Sequence, residues 1–228
     1  MTNPIESSMG WVIHQYPVRD HLMLLYILTP KRYFKAFYRL PKTKHGQQKP
    51  LSFCPYWISW KQNKQAINIH SLEFAEAPLW FKNLKLFTSL YLNELIFNLC
   101  RPDELDSVLN FYALYEELLK HPEDCPIPLL RQFEWQLLAD CGYAIDFAST
   151  FEQQLILEEA YYQFSPDLGF FAATEGYLGR DILKIANGQW DDTALKILKI
   201  ILRKTIHFVL EGKVLQSREL LKEWLISN

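Results

Sequence analysis

The chain has 228 residues, enough for one large or two small cores, and its 24 Lys and Arg nearly balance 26 Asp and Glu at a net charge of −2. No run of about 18 apolar residues occurs, which excludes a membrane-spanning helix, and the polar start, Met1 to Gly10, lacks a signal peptide's apolar centre. The four cysteines, Cys54, Cys100, Cys125 and Cys141, form no C-x-x-C pair and read as reduced thiols, so a cytoplasmic setting is expected.

Residues 1–10 read as a loose leader. Short β-prone segments follow at 11–16, 21–28, 33–40, 51–60 and 65–74, with a loop at 41–50 and Pro55 marking a bulge or edge. Five short strands without helical spacing predict a small barrel, and the OB-fold is the commonest five-stranded barrel that binds single strands. Charge is concentrated here. Residues 1–72 hold ten Lys or Arg against Glu6 and Asp20, whereas residues 73–228 hold fourteen against 24 acids. From His21 to Leu72 there is no acid at all. That stretch holds nine cations, namely Lys31, Arg32, Lys35, Arg39, Lys42, Lys44, Lys49, Lys61 and Lys64, among nine aromatics that include Tyr33, Phe37, Tyr38 and Trp57. Cations attract phosphates and aromatic faces accept stacked bases, so the pattern suits a single-stranded nucleic-acid surface. The same residues would also serve a barrel core with a solvated basic rim. The complete absence of acids favours the first reading.

From Pro78 the period changes to helical. A first helix to about Arg101 carries Trp80, Leu84, Phe87, Tyr91 and Leu95 on one stripe. A second is predicted from Asp103 to Lys120, with Asp103, Glu104 and Asp106 at its positive end. A third starts near Pro128 and stops at Gly142. Residues 151–159 read as helical, and 161–164 and 170–173 as strands about a turn at 165–169. A short helix at 179–186, a long one opened by Asp191-Asp192-Thr193 and running to Leu210, and a last one capped by Ser217 complete the chain.

No enzyme motif survives inspection. Gly212-Lys213 is preceded by His207 where a phosphate loop needs Gly, and no H-E-x-x-H or G-x-S-x-G exists. The six histidines lack ligand spacing, so neither catalysis nor a metal is expected. Lys196, Lys199, Arg203 and His207 do form a basic stripe on the long C-terminal helix, beside an apolar face. Arg131 lies near Phe133 and Trp135 on another helix. Such cations beside apolar groups would receive an acidic peptide with a hydrophobic end. A plain solvated helix face explains the same spacing.

Four segments together resemble the RecO family of bacterial DNA repair proteins. Gly212-Lys213-Val214-Leu215-Gln216-Ser217-Arg218-Glu219-Leu220 is similar to the family's G-K-x-L-K-S-R-E-L, and Tyr91-Leu92-Asn93-Glu94-Leu95 to its Y-x-N-E-L. Leu130-Arg131-Gln132-Phe133-Glu134, with Leu137-Leu138 and Gly142-Tyr143, looks like its L-R-R-F-E-x-x-L-L…G-Y. Gly10-Trp11-Val12-Ile13-His14, with Pro17 and Arg19, looks like its opening strand. The resemblance covers nearly the whole chain. It implies an α+β protein with an OB-fold over 1–76 and a mainly helical domain over 77–228, with a hairpin near 160–174. It implies a non-enzymatic mediator that binds single- and double-stranded DNA, anneals strands and works with RecR to load RecA on DNA coated by single-strand-binding protein. The DNA contacts would be Lys31, Arg32, Lys35, Tyr38, Arg39, Lys42, Lys44 and Trp57. Arg131, Lys196, Lys199 and Arg203 would hold the C-terminal tail of single-strand-binding protein. Many members place four cysteines as a zinc site in the region corresponding to 146–164. This chain has none there, so no metal and no cofactor are expected. Gln132 replaces one of the family's paired arginines, and Tyr38-Arg39-Leu40-Pro41-Lys42 replaces its K-G-A-R turn. The rival reading is a protein-interaction adaptor whose basic barrel binds an acidic partner.

Overall fold

The structure is a computed structural model and describes residues 4–43, 46–47, 49–64, 66–104 and 109–227. Five long strands close a barrel: β1 (Glu6–Arg19), β2 (Leu22–Thr29), β3 (Arg32–Arg39), β6 (Pro55–Gln62) and β7 (Ile67–Phe74). Their order is β1-β2-β3-β7-β6, and all pairings are antiparallel except β3 with β7. This is the expected OB-fold arrangement, and closure leaves no strand edge open. Between β3 and β6, β4 (Lys42–Thr43) and β5 (Gly46–Gln47) make a small hairpin where a loop was expected.

Strict alternation builds the barrel core. Met23, Leu25 and Ile27 of β2, Phe34 and Ala36 of β3, and Tyr56, Ile58 and Trp60 of β6 point inward and are almost fully buried. The supposed leader is part of this wall. β1 starts at Glu6, and Gly10 lies so close to β2 that an added Cβ would meet the Leu28 carbonyl oxygen at 2.6 Å.

The chain forms two compact units. The first combines residues 1–125 with 215–228, and the second is residues 126–214. In the first unit α1 (Asn83–Leu99) and α2 (Asn110–Lys120) follow the barrel. Both start later than periodicity predicts. Leu79 N–H donates to Phe53 O at 2.9 Å, which holds 78–82 outside the helix and leaves Trp80 82% exposed. Asp103 sits in a turn with φ 69° and pairs with Arg32, so it does not open α2. Residues 105–108, placed in that helix by the sequence pattern, lie outside the described residues.

α1 covers the outside of β1 and β2. Phe97 stacks on His14 at 4.3 Å and meets Tyr26 at 5.0 Å, while Asn93 Nδ2 donates to Ile13 O and Asn93 Oδ1 accepts from Tyr115 Oη. The last helix, α6 (Gln216–Ser227), returns to this unit. Its N-terminus is capped from outside: Glu94 accepts from Gln216 N at 2.6 Å and Ser217 N at 2.9 Å. The Arg218 guanidinium lies over Tyr91 at 5.0 Å, and Trp224 packs on Phe87. Ser217 was expected to cap this helix. It is instead buried inside the first turn, and its hydroxyl joins the same carboxylate.

The second unit holds α3 (Ile127–Asp140), the sheet β10-β8-β9 from β8 (Tyr161–Ser165), β9 (Gly169–Ala173) and β10 (Tyr177–Leu178), then α4 (Gly179–Ala186) and α5 (Asp192–Val209). Residues 151–159 are not helical. Phe151 N–H donates to Phe170 O and Ile156 N–H to Ala148 O, which ties the segment to its neighbours in place of an i to i−4 ladder. Phe147, Phe164 and Phe170 fill the space beneath it, with Trp135 against Phe147. Gly179 fits there because it has no Cβ; one would meet the Leu157 carbonyl oxygen at 1.9 Å. Gly142, at φ 87°, ends α3 as expected.

Candidate nucleic-acid interface

With α1 and α2 against the outside of β1 and β2, the acid-free stretch is sorted by strand face. Tyr33 is fully buried, and so is unavailable to a base. Tyr38 alternates inward with Phe34 and Ala36 and packs against the barrel core, where burial raises its hydroxyl pKa. The outward row of β3 is Lys35, Phe37 and Arg39. Both cations are exposed, and the ring between them is half-buried.

The row continues across the sheet. Phe37 lies beside Asn68 of β7 and Asn68 beside Lys61 of β6, each step being about 4.8 Å. Lys61 and Asn68 are exposed. Among the described residues Lys31, Lys35, Arg39 and Lys61 make no ion pair. Lys31 occupies the turn between β2 and β3. The surface therefore presents cations about an aromatic ring with no acid interleaved.

Other expected contacts are placed differently. Arg32 has a side chain only 16% exposed; its Nη2 binds Asp103 at 3.2 Å and its Nη1 binds Gln62 at 3.2 Å. It works as a clamp between the β2–β3 turn and the segment after α1. Trp57 is 49% exposed on β6, but its register partner on β7 is Glu73, so a carboxylate adjoins it. Lys42 enters the β4–β5 hairpin opposite Gln47, and Lys44 lies outside the described residues.

On α5 of the second unit, Lys196, Lys199 and Arg203 are exposed along one face with Lys204 and His207. Ile200 and Phe208 are exposed on the same helix at 45% and 49%. Arg131 is buried at 8%, and its guanidinium is paired with Glu134, itself 1% exposed. Its neighbour in sequence, Gln132, is exposed. Among the described residues no group of three or more His, Cys, Asp or Glu is placed to hold a metal ion, and no helix is long and apolar enough to cross a membrane.

Sequence reasoning missed the work of the Y-x-N-E-L segment. Tyr91, Asn93 and Glu94 join α1 to α6, β1 and α2, so this motif is structural. The match to the family motif marked the segment, but nothing local in it names the distant partners.

Comparison with known proteins is consistent along the chain. Residues 84–225 match the family described as recombination protein O C terminal. The DNA repair protein RecO of Legionella pneumophila strain Philadelphia 1 is 29% identical over 222 residues, covering 94% of this chain and 97% of that protein. The DNA repair protein RecO of Pseudomonas aeruginosa strain LESB58 is 30% identical over 218 residues, 92% of each. That of Pseudomonas putida strain GB-1 is 27% identical over 221 residues.

Proposed function

Since the chain belongs to the RecO family of DNA repair proteins, we propose that it is a recombination mediator with no catalytic step of its own. In this reading the barrel of residues 1–76 binds single- and double-stranded DNA and brings complementary strands together. With RecR it assists RecA onto DNA coated by single-strand-binding protein, in the cytoplasm. The observation that carries the reading is the outer row Lys35–Phe37–Arg39 with Asn68 and Lys61 beside it. Two strands repel through their phosphates, and a cationic face without acids screens that repulsion. Phe37 offers a stacking surface that tolerates any base. The exposed face of α5, with Lys196, Lys199 and Arg203 near Ile200 and Phe208, supports docking of the acidic tail of single-strand-binding protein. Arg131, tied to Glu134, would act there by holding α3 in shape.

Fluorescence anisotropy with labelled oligo-dT across a salt series tests the DNA reading. Four phosphate contacts, at Lys31, Lys35, Arg39 and Lys61, give a slope of log K against log salt near about −3, at about −0.7 per contact. A flat response would overturn the electrostatic reading. Reversing Lys199 and Arg203 to Glu should weaken binding of the tail peptide and spare naked oligonucleotide. Equal loss of both would make α5 a DNA surface instead.

A further inference from the structure

The outer row of β3 also continues in the other direction, onto β2 and β1. Phe37 partners Leu24 of β2, and Leu24 partners Tyr16 of β1, so the three side chains leave one face of the sheet in a line. Tyr16 is 42% exposed, and Leu24 and Phe37 are half-buried. The rows on either side of this line carry charge. On one side Arg19 and Arg39 both partner Leu22, and on the other Lys35 partners Tyr26. All three cations are exposed, and among the described residues none makes an ion pair. Asp20, in the turn after Arg19, is exposed too, and the three cations outweigh it.

The helix packed on this face leaves the line open. Phe97 of α1 meets His14 at 4.3 Å and Tyr26 at 5.0 Å, one row away, and lies 6.1 Å from Tyr16. His14 meets the Tyr16 ring edge-on at 4.4 Å, which steadies the ring while much of its surface stays in solvent. Tyr16 and Phe37 are two strand spacings apart, about 9.6 Å. Bases in a duplex are about 3.4 Å apart along one strand, and each face is covered by its neighbour. A base reaches a ring only when its stack is broken. Phosphates, by contrast, are open to a cation in either form of DNA.

We propose that Tyr16, Leu24 and Phe37 form a platform for about three unstacked bases, which makes this face prefer a single strand to a duplex. Arg19, Lys35 and Arg39 hold phosphates of both. This inference rests on the DNA reading above and gives it a direction. Bases leave the rings when they pair with a complementary strand, so the annealed product keeps only its phosphate contacts and is held more weakly.

The test is fluorescence anisotropy on the full chain with labelled oligo-dT and a labelled duplex of equal length, across a salt series. Tyr16→Ala should weaken oligo-dT binding about fivefold or more, the lower end of one lost base stack, and leave the duplex and the salt slope unchanged. Tyr16→Phe keeps the ring and should bind as the native chain does. Tyr16→Leu keeps apolar bulk against His14 and should behave as Tyr16→Ala, which separates stacking from damage to the fold. Arg19→Gln should weaken both probes and reduce the salt slope by about 0.7 on oligo-dT and about 0.9 on the duplex. Equal loss of oligo-dT and duplex binding in Tyr16→Leu overturns the inference, as does no loss of either, and both leave the DNA reading standing. Failure of the native chain to bind either probe sinks the DNA reading and the platform with it.

Discussion

Lys35 and Arg39 stand on either side of Phe37, and their consequences are additive in charge. Changing both to Gln should reduce the salt slope of oligo-dT binding by about 1.4, at about −0.7 per contact, and leave thermal stability within error, since both side chains are solvated. Changing Arg32 should behave differently, because its guanidinium clamps Asp103 and Gln62; Arg32→Gln should lower the melting temperature as well as affinity. His14 supplies a pH test. Burial beneath Phe97 lowers its pKa from the ordinary 6.5, so the folded protein resists the proton that the unfolded chain accepts. This contribution is present above 6.5 and is lost as pH falls towards the lower folded value. Denaturant midpoints taken between about pH 7.5 and about pH 5.5 should fall in the native chain and fall less in His14→Phe. At this scale the sequence was half legible. Period-two alternation separates Phe37 from Tyr38, because Phe34 and Ala36 mark the inner row. Counting cations and rings without assigning faces put Tyr38 among the contacts and left Phe37 out. The pairing of Arg32 with a residue 71 positions away leaves no local trace.

Helices in this chain are bounded by tertiary contacts more than by their own periodicity. α1 begins at Asn83 because Leu79 is tied to Phe53, and the apolar stripe beginning at Trp80 overran that boundary. The α6 cap comes from Glu94, more than 120 residues earlier, and no reading of Ser217 alone could supply it. Glu94→Ala should cost about 1–2 kcal/mol, the scale of a lost helix cap, and hydrogen exchange should quicken first in 216–227. Arg131→Met leaves the Glu134 carboxylate buried without its cation and should destabilise by about 3–5 kcal/mol. Replacing both residues with apolar ones should recover much of that loss. A Gly10→Ala change forces β1 away from the Leu28 carbonyl and should cost about 1–3 kcal/mol, read as a lower denaturant midpoint.

For the molecule as a whole, the strand pattern and the charge imbalance were visible from composition and spacing alone. The closure of β6 onto β1 and the parallel step from β3 to β7 were reached only by analogy, since strand order is a long-range property. The return of α6 to the first unit has a temporal meaning. Synthesis runs from the first residue to the last, at about 5–20 residues per second. Residues 1–125 therefore emerge with Glu94 and Tyr91 waiting for partners, and all of 126–214 must follow before Gln216, Ser217 and Arg218 arrive. The inserted unit can fold while the first one is still open. A chain truncated after Val214 should be protease-resistant across 126–214 and cut readily near α1, and adding back residues 215–228 should close the clasp.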